Sequence, residues 1–199
     1  MSAHVQNTKA ALRRQMRAEL KILTLEHRAA ASVQACLLLE KQAVWKLARS
    51  ILFYAPMPGE LDIWRLVEES VAVGKLVALP QYQRAENRYV ACRIERLPHD
   101  LKPGLHGIRE PADHCALVPL NRLDLVLAPG VAFDLRGGRL GRGKGFYDQL
   151  LAHVRGTKVG VAFDEQIVGE IPVEPHDVYL NCILTPTRWI EPKPRAVLE

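Results

Sequence analysis

Residues 136–148 read Arg136-Gly-Gly-Arg-Leu-Gly-Arg-Gly-Lys-Gly-Phe-Tyr-Asp148, and five of the nine positions from 137 to 145 are glycine. Four cations lie among the glycines: Arg136, Arg139, Arg142 and Lys144. Ordering so many glycines costs conformational entropy, and the cations repel one another. Such a segment holds one shape best when its backbone N–H groups and cations surround a polyanion. The pattern predicts a phosphate-binding loop, with a flexible, solvated basic loop as the alternative.

The flanks of this glycine-rich segment also favour phosphate binding. Residues 123–128 form an apolar run that predicts a buried strand, and residues 146–154 have a helical pattern. A strand, a glycine loop and a helix N-terminus together are typical of anion sites.

The segment is not a P-loop NTPase motif. Residues 138–144 match the first seven positions of G-x-x-x-x-G-K-[ST], but Gly145 replaces the hydroxyl residue that would hold magnesium. Asp148 can supply a metal oxygen instead, because magnesium accepts one or two carboxylates beside substrate phosphates. Its alternative role is a first-turn carboxylate favoured by the helix dipole. The absence of a G-x-G-x-x-G fingerprint argues against a nicotinamide or flavin cofactor.

Length and composition predict a globular protein with a substantial core. The chain has 199 residues, of which 48% are hydrophobic and 25% charged. We expect a single domain over 1–199, with a frayed tail at 191–199. The formal net charge of +5 favours an anionic ligand or weak nucleic-acid affinity.

The cysteines and the N-terminus predict a cytoplasmic location. The four cysteines (Cys36, Cys92, Cys115 and Cys182) form no C-x-x-C pair, which argues against a zinc ribbon or redox motif. We expect four buried, structural thiols in a reducing compartment. The N-terminus has no apolar signal-peptide core, and no apolar run is long enough to cross a bilayer.

Hydrophobic periodicity predicts alternating helices and strands. The predicted helices are 7–25, capped by Asn7 or Thr8, and 32–48 (together the N-terminal helices within 7–49), then 62–73, capped by Asp62, and 146–154. The predicted strands are 51–55, 76–79 ended by Pro80, 89–94, 123–128, 159–163 and 182–185, with a loop over 98–119. This order predicts a mostly parallel sheet covered by helices on both faces. Ligands lie beyond the carboxyl ends of such strands, so residues 54–60 and 129–148 are expected to meet at one cleft.

Two further groups of charged residues are candidates for ligand binding. Lys9, Arg13 and Arg17 are spaced at i, i+4 and i+8, which places three cations on one helical face. A bound phosphate would offset their repulsion, whereas a plain solvated face is the alternative. Glu60 follows a predicted strand on a turn, where it can accept a hydrogen bond from a ligand N–H or simply lie at the surface.

The proline-pinned segment 170–177 contains a second candidate metal carboxylate, Asp177. His176 fits a positioning or core histidine better than a metal ligand, because no second histidine lies at ligand spacing. The chain has neither a G-x-S-x-G elbow nor a Ser–His–Asp order, so the sequence does not support a hydrolase nucleophile.

Several motifs occur in a fixed order along nearly the whole chain. They are Lys9-Ala-Ala-Leu-Arg13, Tyr54-Ala-Pro-Met-Pro-Gly-Glu60, Gly107-Ile-Arg-Glu-Pro111, Pro129-Gly-Val-Ala-Phe-Asp134 leading into 139–148, and Pro172-Val-Glu-Pro-His-Asp177. In this the chain resembles the 5-formyltetrahydrofolate cyclo-ligases (methenyltetrahydrofolate synthetases). Phe146 stands where many members have Tyr, and Asp62 where Thr is frequent. The resemblance implies a three-layer α/β/α sandwich similar to the ribose-5-phosphate isomerase and CoA-transferase group.

The resemblance also implies an ATP- and magnesium-dependent conversion of 5-formyltetrahydrofolate to 5,10-methenyltetrahydrofolate, ADP and phosphate. The residues it implies for ATP are Lys9, Arg13, Arg139, Leu140, Gly141, Arg142, Gly143, Lys144, Gly145, Phe146 and Tyr147. Those for the folate are Ala55, Glu60, Arg142, Gly143, Lys144, Gly145 and Phe146, and those for magnesium are Asp148 and Asp177. The expected partner is a reduced folate, including polyglutamylated forms, for a monomer without nucleic-acid or membrane partners.

The residues suit that chemistry. A phosphorylated formyl oxygen leaves as phosphate, and the neighbouring folate nitrogen can then close the ring. Phosphoryl transfer needs cations and magnesium more than covalent help from the protein. We expect Lys144 and Arg142 to be the catalytic cations and Glu60 to orient the pterin.

Three rival interpretations stay open on the sequence alone. One is a sugar-phosphate or acyl-CoA enzyme of similar fold that hydrolyses no nucleotide. Another is a nucleic-acid-binding module, although tryptophans and tyrosines are not interleaved with the basic segment. The last is an inactive relative that keeps the fold.

Overall fold

Apolar strands and amphipathic helices alternate along the chain. A computed structural model describes residues 3–104 and 108–192. Its α-helices are α1 (Ala3–Ile22), α2 (Leu25–Lys41), α3 (Ala43–Leu47), α4 (Trp64–Ala72) and α5 (Phe146–Ala152). Its strands are β1 (Ser50–Leu52), β2 (Leu76–Gln83), β3 (Arg88–Ile94), β4 (Leu101–Pro103), β5 (Arg109–Pro111), β6 (Leu117–Val118), β7 (Leu125–Pro129), β8 (Ala132–Asp134), β9 (Arg139–Leu140), β10 (Thr157–Val161), β11 (Ile167–Val168), β12 (Cys182–Leu184) and β13 (Trp189–Ile190).

A central sheet has the strand order β13-β12-β10-β7-β1-β2-β3-β6. The strands from β12 to β2 are parallel, and β3, β6 and β13 are antiparallel to their neighbours. The chain passes from β1 to β2 on one side of β1, whereas β7 pairs on its other side. The strand order therefore reverses between β1 and β7, and the segments that follow these two strands meet at this switch point. Smaller sheets contain β11-β8-β9 and the β4–β5 hairpin.

Apolar side chains cover both faces of the central sheet. On one face α2, α3 and α4 pack against the strands, with Leu39 and Leu66 fully buried beside Leu127. On the other face Leu150 and Leu151 of α5 are equally buried. Strands buried on both faces have continuous apolar runs, as β7 does. The predicted three-layer arrangement with a mostly parallel sheet is confirmed.

The helix boundaries correct two predicted N-caps near the start of the chain. The structure is helical from Ala3, so Asn7 and Thr8 lie inside α1. The Thr8 hydroxyl donates back to the carbonyl of His4, as hydroxyls inside helices do, instead of capping. Thr24 caps the second helix by accepting from the N–H of His27, so α2 begins at Leu25, seven residues before the predicted start. The helix is interrupted at Gln42, so the predicted helix 32–48 consists of parts of two helices, α2 and α3.

Two further boundaries differ from prediction. α4 begins at Trp64 with Ile63 as its N-cap, although the Asp62 carboxylate does accept the Trp64 N–H at 2.9 Å. β2 continues past Pro80 and is paired with β3 on both sides of it, whereas a strand ending at Pro80 was predicted. β2 pairs with β1 only as far as Ala78. The edge of β2 that faces β1 is therefore unpaired at Pro80, where proline has no N–H to donate.

The loop predicted over 98–119 contains three short strands, β4, β5 and β6, and the strands β8, β9, β11 and β13 were not predicted at all. Each has two or three residues, too few to show a period of two.

The remaining global predictions have mixed outcomes. All four cysteines are free thiols, but Cys115 is only partly buried, which corrects the prediction of four buried ones. No helix in the described ranges is long and apolar enough to span a bilayer. Gly107 and most of the predicted frayed tail, 193–199, lie outside the described residues, while the Trp189 indole N–H donates to Glu191. The single-domain organisation stays a prediction.

Candidate active site

The glycine-rich segment divides into two halves. Residues 134–140, which we call the hairpin half, form the turn between β8 and β9. The buried Asp134 orders this turn: its Oδ1 accepts the N–H groups of Arg136 and Gly138, and its Oδ2 accepts that of Ile171, all at 2.9 Å. Gly137 has φ +84°, and a Cβ there would lie 2.6 Å from the Leu180 carbonyl oxygen. Protein groups order this half, so the prediction of one ligand-ordered loop over the whole segment is corrected.

Residues 141–145, which we call the open half, connect β9 to α5. Gly143 and Gly145 have φ of +105° and +69°, and Gly145 is the N-cap residue of α5. The Arg13 Nε donates to the Gly141 carbonyl at 2.9 Å. This half is held at its start by α1, while its middle residues stay exposed.

The cations of the segment differ in their partners. Three of them pair with carboxylates at N–O distances of 2.7 Å: Arg136 with Glu170, Arg139 with Asp148, and Arg142 with Glu60. Within the ranges 3–104 and 108–192, Lys144 has no carboxylate within 4.0 Å. Its ammonium lies 5.8 Å from the centre of the Phe146 ring. The ammonium group of Lys144 is therefore available to bind an external anion.

A cleft of about 1030 Å³ lies beside the open half, at the upper end of the usual size of ligand sites. It brings together most of the residues predicted for ATP and metal: Lys9, Arg13, Arg139, Leu140, Gly141, Gly143, Lys144, Gly145, Asp148 and Asp177. Arg142, Phe146 and Tyr147 are not part of its lining. Neither is Arg17, so the predicted three-cation face contributes two residues to the cleft.

Lys9 lies at the floor of this cleft between two carboxylates. Its Nζ is 2.5 Å from Asp177 Oδ2 and 3.0 Å from Glu174 Oε2, and its side chain is only 5% exposed. Burial alone would lower the pKa of Lys9, but hydrogen bonds to Asp177 and Glu174 outweigh it and raise that pKa. Lys9 is therefore charged, and α1 is joined to the segment 170–177.

The two predicted metal carboxylates each face a protein cation. Asp148 Oδ1 accepts from the buried Arg139, and Asp177 faces Lys9. Among the described residues, Asp148 is not a member of the group that could hold a metal, in which Asp177 is joined by Glu174 and His176.

The group of Glu174, His176 and Asp177 fits a divalent cation. His176 Nε2 is 3.8 Å from Asp177 Oδ1, and Glu174 Oε1 is buried without a hydrogen-bond partner in the structure as described. Two carboxylates share the single positive charge of Lys9, so one negative charge remains uncompensated. The His176 side chain is 56% exposed, which rules out the interpretation as a core histidine.

Four of the residues predicted for the folate are not part of the cleft lining: Ala55, Glu60, Arg142 and Phe146. Glu60 Oε1 accepts from Arg142 and Oε2 from the Met57 N–H, at 2.7 and 2.9 Å. The segments after β1 and β7 therefore do meet, as predicted. Ala55 is partly buried and packs against the core.

Phe146 lies in an aromatic group with two tyrosines that are directly paired across β2 and β3. Its ring centre is 5.3 Å from that of Tyr82 and 5.5 Å from that of Tyr89. Tyr147 packs on the inner side, where burial and then nearby Glu60 raise the pKa of its hydroxyl well above the ordinary value. Tyr147 therefore remains a neutral hydroxyl.

This geometry agrees with the comparisons with known proteins. Residues 5–186 match the sequence model of the 5-formyltetrahydrofolate cyclo-ligase family. The chain belongs to this family. The solution structure of the Aquifex aeolicus 5,10-methenyltetrahydrofolate synthetase is 32% identical, with a TM-score of 0.84 and 96% of each chain covered. The cyclo-ligase of Escherichia coli K12 is 35% identical over 146 residues (71% of this chain, 80% of that protein), and that of Mus musculus is 30% identical over 200 residues (90% and 94%).

Some residues of the site in this family member were not singled out from the sequence. Asp134 and Glu174 lie inside the quoted motifs, but neither was predicted as a site residue. The signal for Glu174 was its position three residues before Asp177 between two prolines. Tyr82 and Tyr89 gave a weaker signal, as aromatic residues flanking a turn-rich stretch. The assignments of individual residues to ATP, folate and magnesium stay predictions.

Proposed function

We propose that this protein converts 5-formyltetrahydrofolate to 5,10-methenyltetrahydrofolate, with ATP as co-substrate and ADP and phosphate as products. The observation that carries the proposal is the unpaired Lys144 beside a cleft with a carboxylate floor, in a chain of this family. Its neighbours Arg136, Arg139 and Arg142 are already neutralised, so the ligand charge falls mainly on this lysine.

The proposed reaction has two steps. The formyl oxygen attacks the terminal phosphorus of ATP, and the bond from that phosphorus to ADP breaks. The neighbouring folate nitrogen then attacks the activated formyl carbon, its proton is lost, and the carbon–oxygen bond breaks to release phosphate. Lys144 donates to the transferred phosphoryl oxygens, where a positioned cation stabilises the charge of the transition state.

The cleft floor contributes charge and position. Lys9 and Arg13 approach the nucleotide from α1, and Arg13 also fixes the Gly141 carbonyl at the start of the open half. Asp177 and Glu174 would hold magnesium, and Asp148, which lines the same cleft outside their group, would supply a further carboxylate oxygen. When bound, the ion neutralises phosphate oxygens and orients the triphosphate.

The folate side supplies recognition. Glu60 accepts from pterin N–H donors in exchange for Arg142, and the released guanidinium turns toward the phosphoryl group as the second catalytic cation. The aromatic group around Phe146 offers a ring-stacking surface. The net charge of +5 suits the glutamate carboxylates of the folate and of its polyglutamylated forms. Four free thiols suit a cytoplasmic, reducing setting, and the monomeric state stays a prediction.

The test is a direct assay. Purified protein is mixed with 5-formyltetrahydrofolate, ATP and magnesium, and the absorbance of the methenyl product is followed while ADP is measured. We expect product only when all three are present, with equal amounts of methenyltetrahydrofolate and ADP. Absence of product, or product formed without ATP, would contradict the proposal.

Calorimetric measurement of ATP binding distinguishes the proposed enzyme from the rival interpretations. A sugar-phosphate or acyl-CoA enzyme would bind no ATP with or without magnesium. A nucleic-acid-binding module would bind RNA with a steep dependence on salt and form no product.

A further inference from the structure

A second group of metal-ligating side chains lies at the base of the β4–β5 hairpin. His99 and Asp100 directly precede β4, and His114 follows β5. One donor atom from each lies within 4.8 Å of the other two. None of the three lines the cleft described above, so this group is separate from the proposed nucleotide site.

Asp100 is fixed so that one carboxylate oxygen faces both histidines. Its Oδ2 accepts the backbone N–H groups of Glu95 and Arg96 at 2.8 Å, and the side chain is only 6% exposed. Its Oδ1 is 3.1 Å from His99 Nδ1 and 3.1 Å from His114 Nε2. Burial alone would raise the pKa of Asp100, but these hydrogen bonds hold it well below the usual range. The backbone hydrogen bonds to Oδ2 therefore leave Oδ1 directed at both imidazole rings.

Both imidazoles are reachable from solvent. Their side chains are 63% and 49% exposed, and the ring centres are 5.1 Å apart. Two imidazole nitrogens and one carboxylate oxygen are the donors that divalent zinc and its neighbours prefer, whereas magnesium prefers oxygen alone. A tetrahedral ion with bonds of about 2.0–2.2 Å sets its ligands roughly 3.3–3.5 Å apart. Asp100 Oδ1 lies 3.1 Å from each imidazole nitrogen, close to that value, and all three donor atoms lie within 4.8 Å of one another.

We propose that His99, Asp100 and His114 bind a zinc-like divalent cation, with water in the fourth position. The ion would link the two ends of the hairpin, which already meet where the Asp100 carbonyl accepts the Ala112 N–H at 2.9 Å. The hairpin is attached to the central sheet through Gln81, whose amide donates to the Pro111 carbonyl. Metal binding therefore stabilises the hairpin against this edge of the sheet.

The test uses the full chain after removal of metals with a chelator. Zn²⁺ is titrated calorimetrically, Co²⁺ is followed by its visible absorption, and both are repeated in excess magnesium. We expect His99→Ala and His114→Ala each to weaken binding by at least 10-fold, since even loss of an outer-shell partner costs about 10- to 100-fold. The matched control is His27→Ala, an exposed histidine beside a single carboxylate, which should bind as the parent does.

A stability readout accompanies the titration. Zn²⁺ should raise the melting temperature of the parent and of His27→Ala, but of neither hairpin variant. If an alanine variant unfolds, His114→Gln keeps an N–H for Asp100 and gives the same comparison. The group containing His176 is a second possible zinc ligand set, so His176→Ala is measured as well. In the His176→Ala background, zinc binding that survives a second substitution at His99 or His114 overturns the proposal, as does the loss of all zinc binding in His176→Ala alone.

Discussion

The two halves of the glycine-rich segment share a composition but differ in what holds them. In the hairpin half, Asp134 accepts three backbone N–H groups, and Arg136 is paired with Glu170. In the open half, Gly143 and Lys144 are exposed, and Lys144 has no carboxylate partner among the residues described. Glycine and cations alone therefore do not define a phosphate site. The two halves differ in whether the protein itself supplies hydrogen-bond acceptors for the backbone N–H groups and carboxylates for the cations. Where it does not, these groups are left for an external phosphate.

The largest expected effect is a difference in turnover between two variants, each with one cation of one half replaced by alanine. Lys144→Ala should lower turnover by about 100-fold or more, the usual loss when one transition-state donor is removed. Arg136→Ala should leave turnover near that of the parent, because its ion pair is at the surface. Steady-state assays of product formation check both variants.

Lys144→Arg, which keeps the charge, should recover part of the rate. Equal rates for Lys144→Ala and Arg136→Ala would mean that the two halves do not differ in function.

The next effect concerns stability. Asp134→Ala leaves three backbone N–H groups without their acceptor, and we expect a loss of about 3 kcal/mol or more in the free energy of unfolding. Asp134→Asn keeps one carbonyl acceptor and should lose less. Chemical denaturation measures both, and a negligible loss in the alanine variant would show that the hairpin half needs no internal anchor.

A smaller contrast should appear between glycines of the two halves. Gly137→Ala combines a positive φ with a Cβ 2.6 Å from the Leu180 carbonyl oxygen, so we expect about 2 kcal/mol of destabilisation or more. Gly145→Ala has a positive φ but open space, which predicts about 1 kcal/mol. Thermal unfolding checks the order. Reversal of the order would place the tighter constraint in the open half.

The smallest effect is a pH dependence in the segment 170–177, which contacts the hairpin half through Ile171 and Glu170. The Lys9 hydrogen bond holds the pKa of Glu174 below its ordinary value of 4.5. A lowered folded-state pKa contributes stability above pH 4.5, and this stability is lost as the pH falls through the lowered pKa. The melting temperature of Glu174→Gln should therefore approach that of the parent on acidification.

The control is Glu170→Gln in the same segment, because its ion pair with Arg136 is exposed and contributes little to stability. A constant difference between Glu174→Gln and the parent at every pH would exclude the proposed charge coupling.

The location of the site could be predicted from the sequence, because the long apolar runs around β1 and β7 mark the strands whose carboxyl ends meet. The pairing of Glu60 with Arg142 follows from that placement. The short strands β8 and β9 could not be predicted, and with them the division of the glycine-rich segment was missed. A rule based on composition treats all its glycines alike, whereas the Asp134 hydrogen bonds depend on a turn between strands of three and two residues, which are too short to be predicted.

The ion pairs on the cleft floor could not be predicted from the sequence for another reason. Lys9 was predicted to face phosphate and Asp177 to face magnesium, and the structure pairs them with each other and with Glu174. Charge pairs between distant segments leave no local pattern, so both residues were assigned to a ligand without their protein partner. The hairpin group of His99, Asp100 and His114 was missed likewise, because its histidines come from separate stretches.

The pairing of Lys9 with Asp177 spans 168 positions, which has a consequence for how the chain matures. During synthesis α1 leaves the ribosome before the segment 170–177 does, so Lys9 meets neither Glu174 nor Asp177 until the strands from β1 to β11 have been made. The floor of the cleft is thus completed only after those strands. A nascent chain cut short before this point has the central strand β7 and helix α1 but lacks the carboxylates that pair with Lys9.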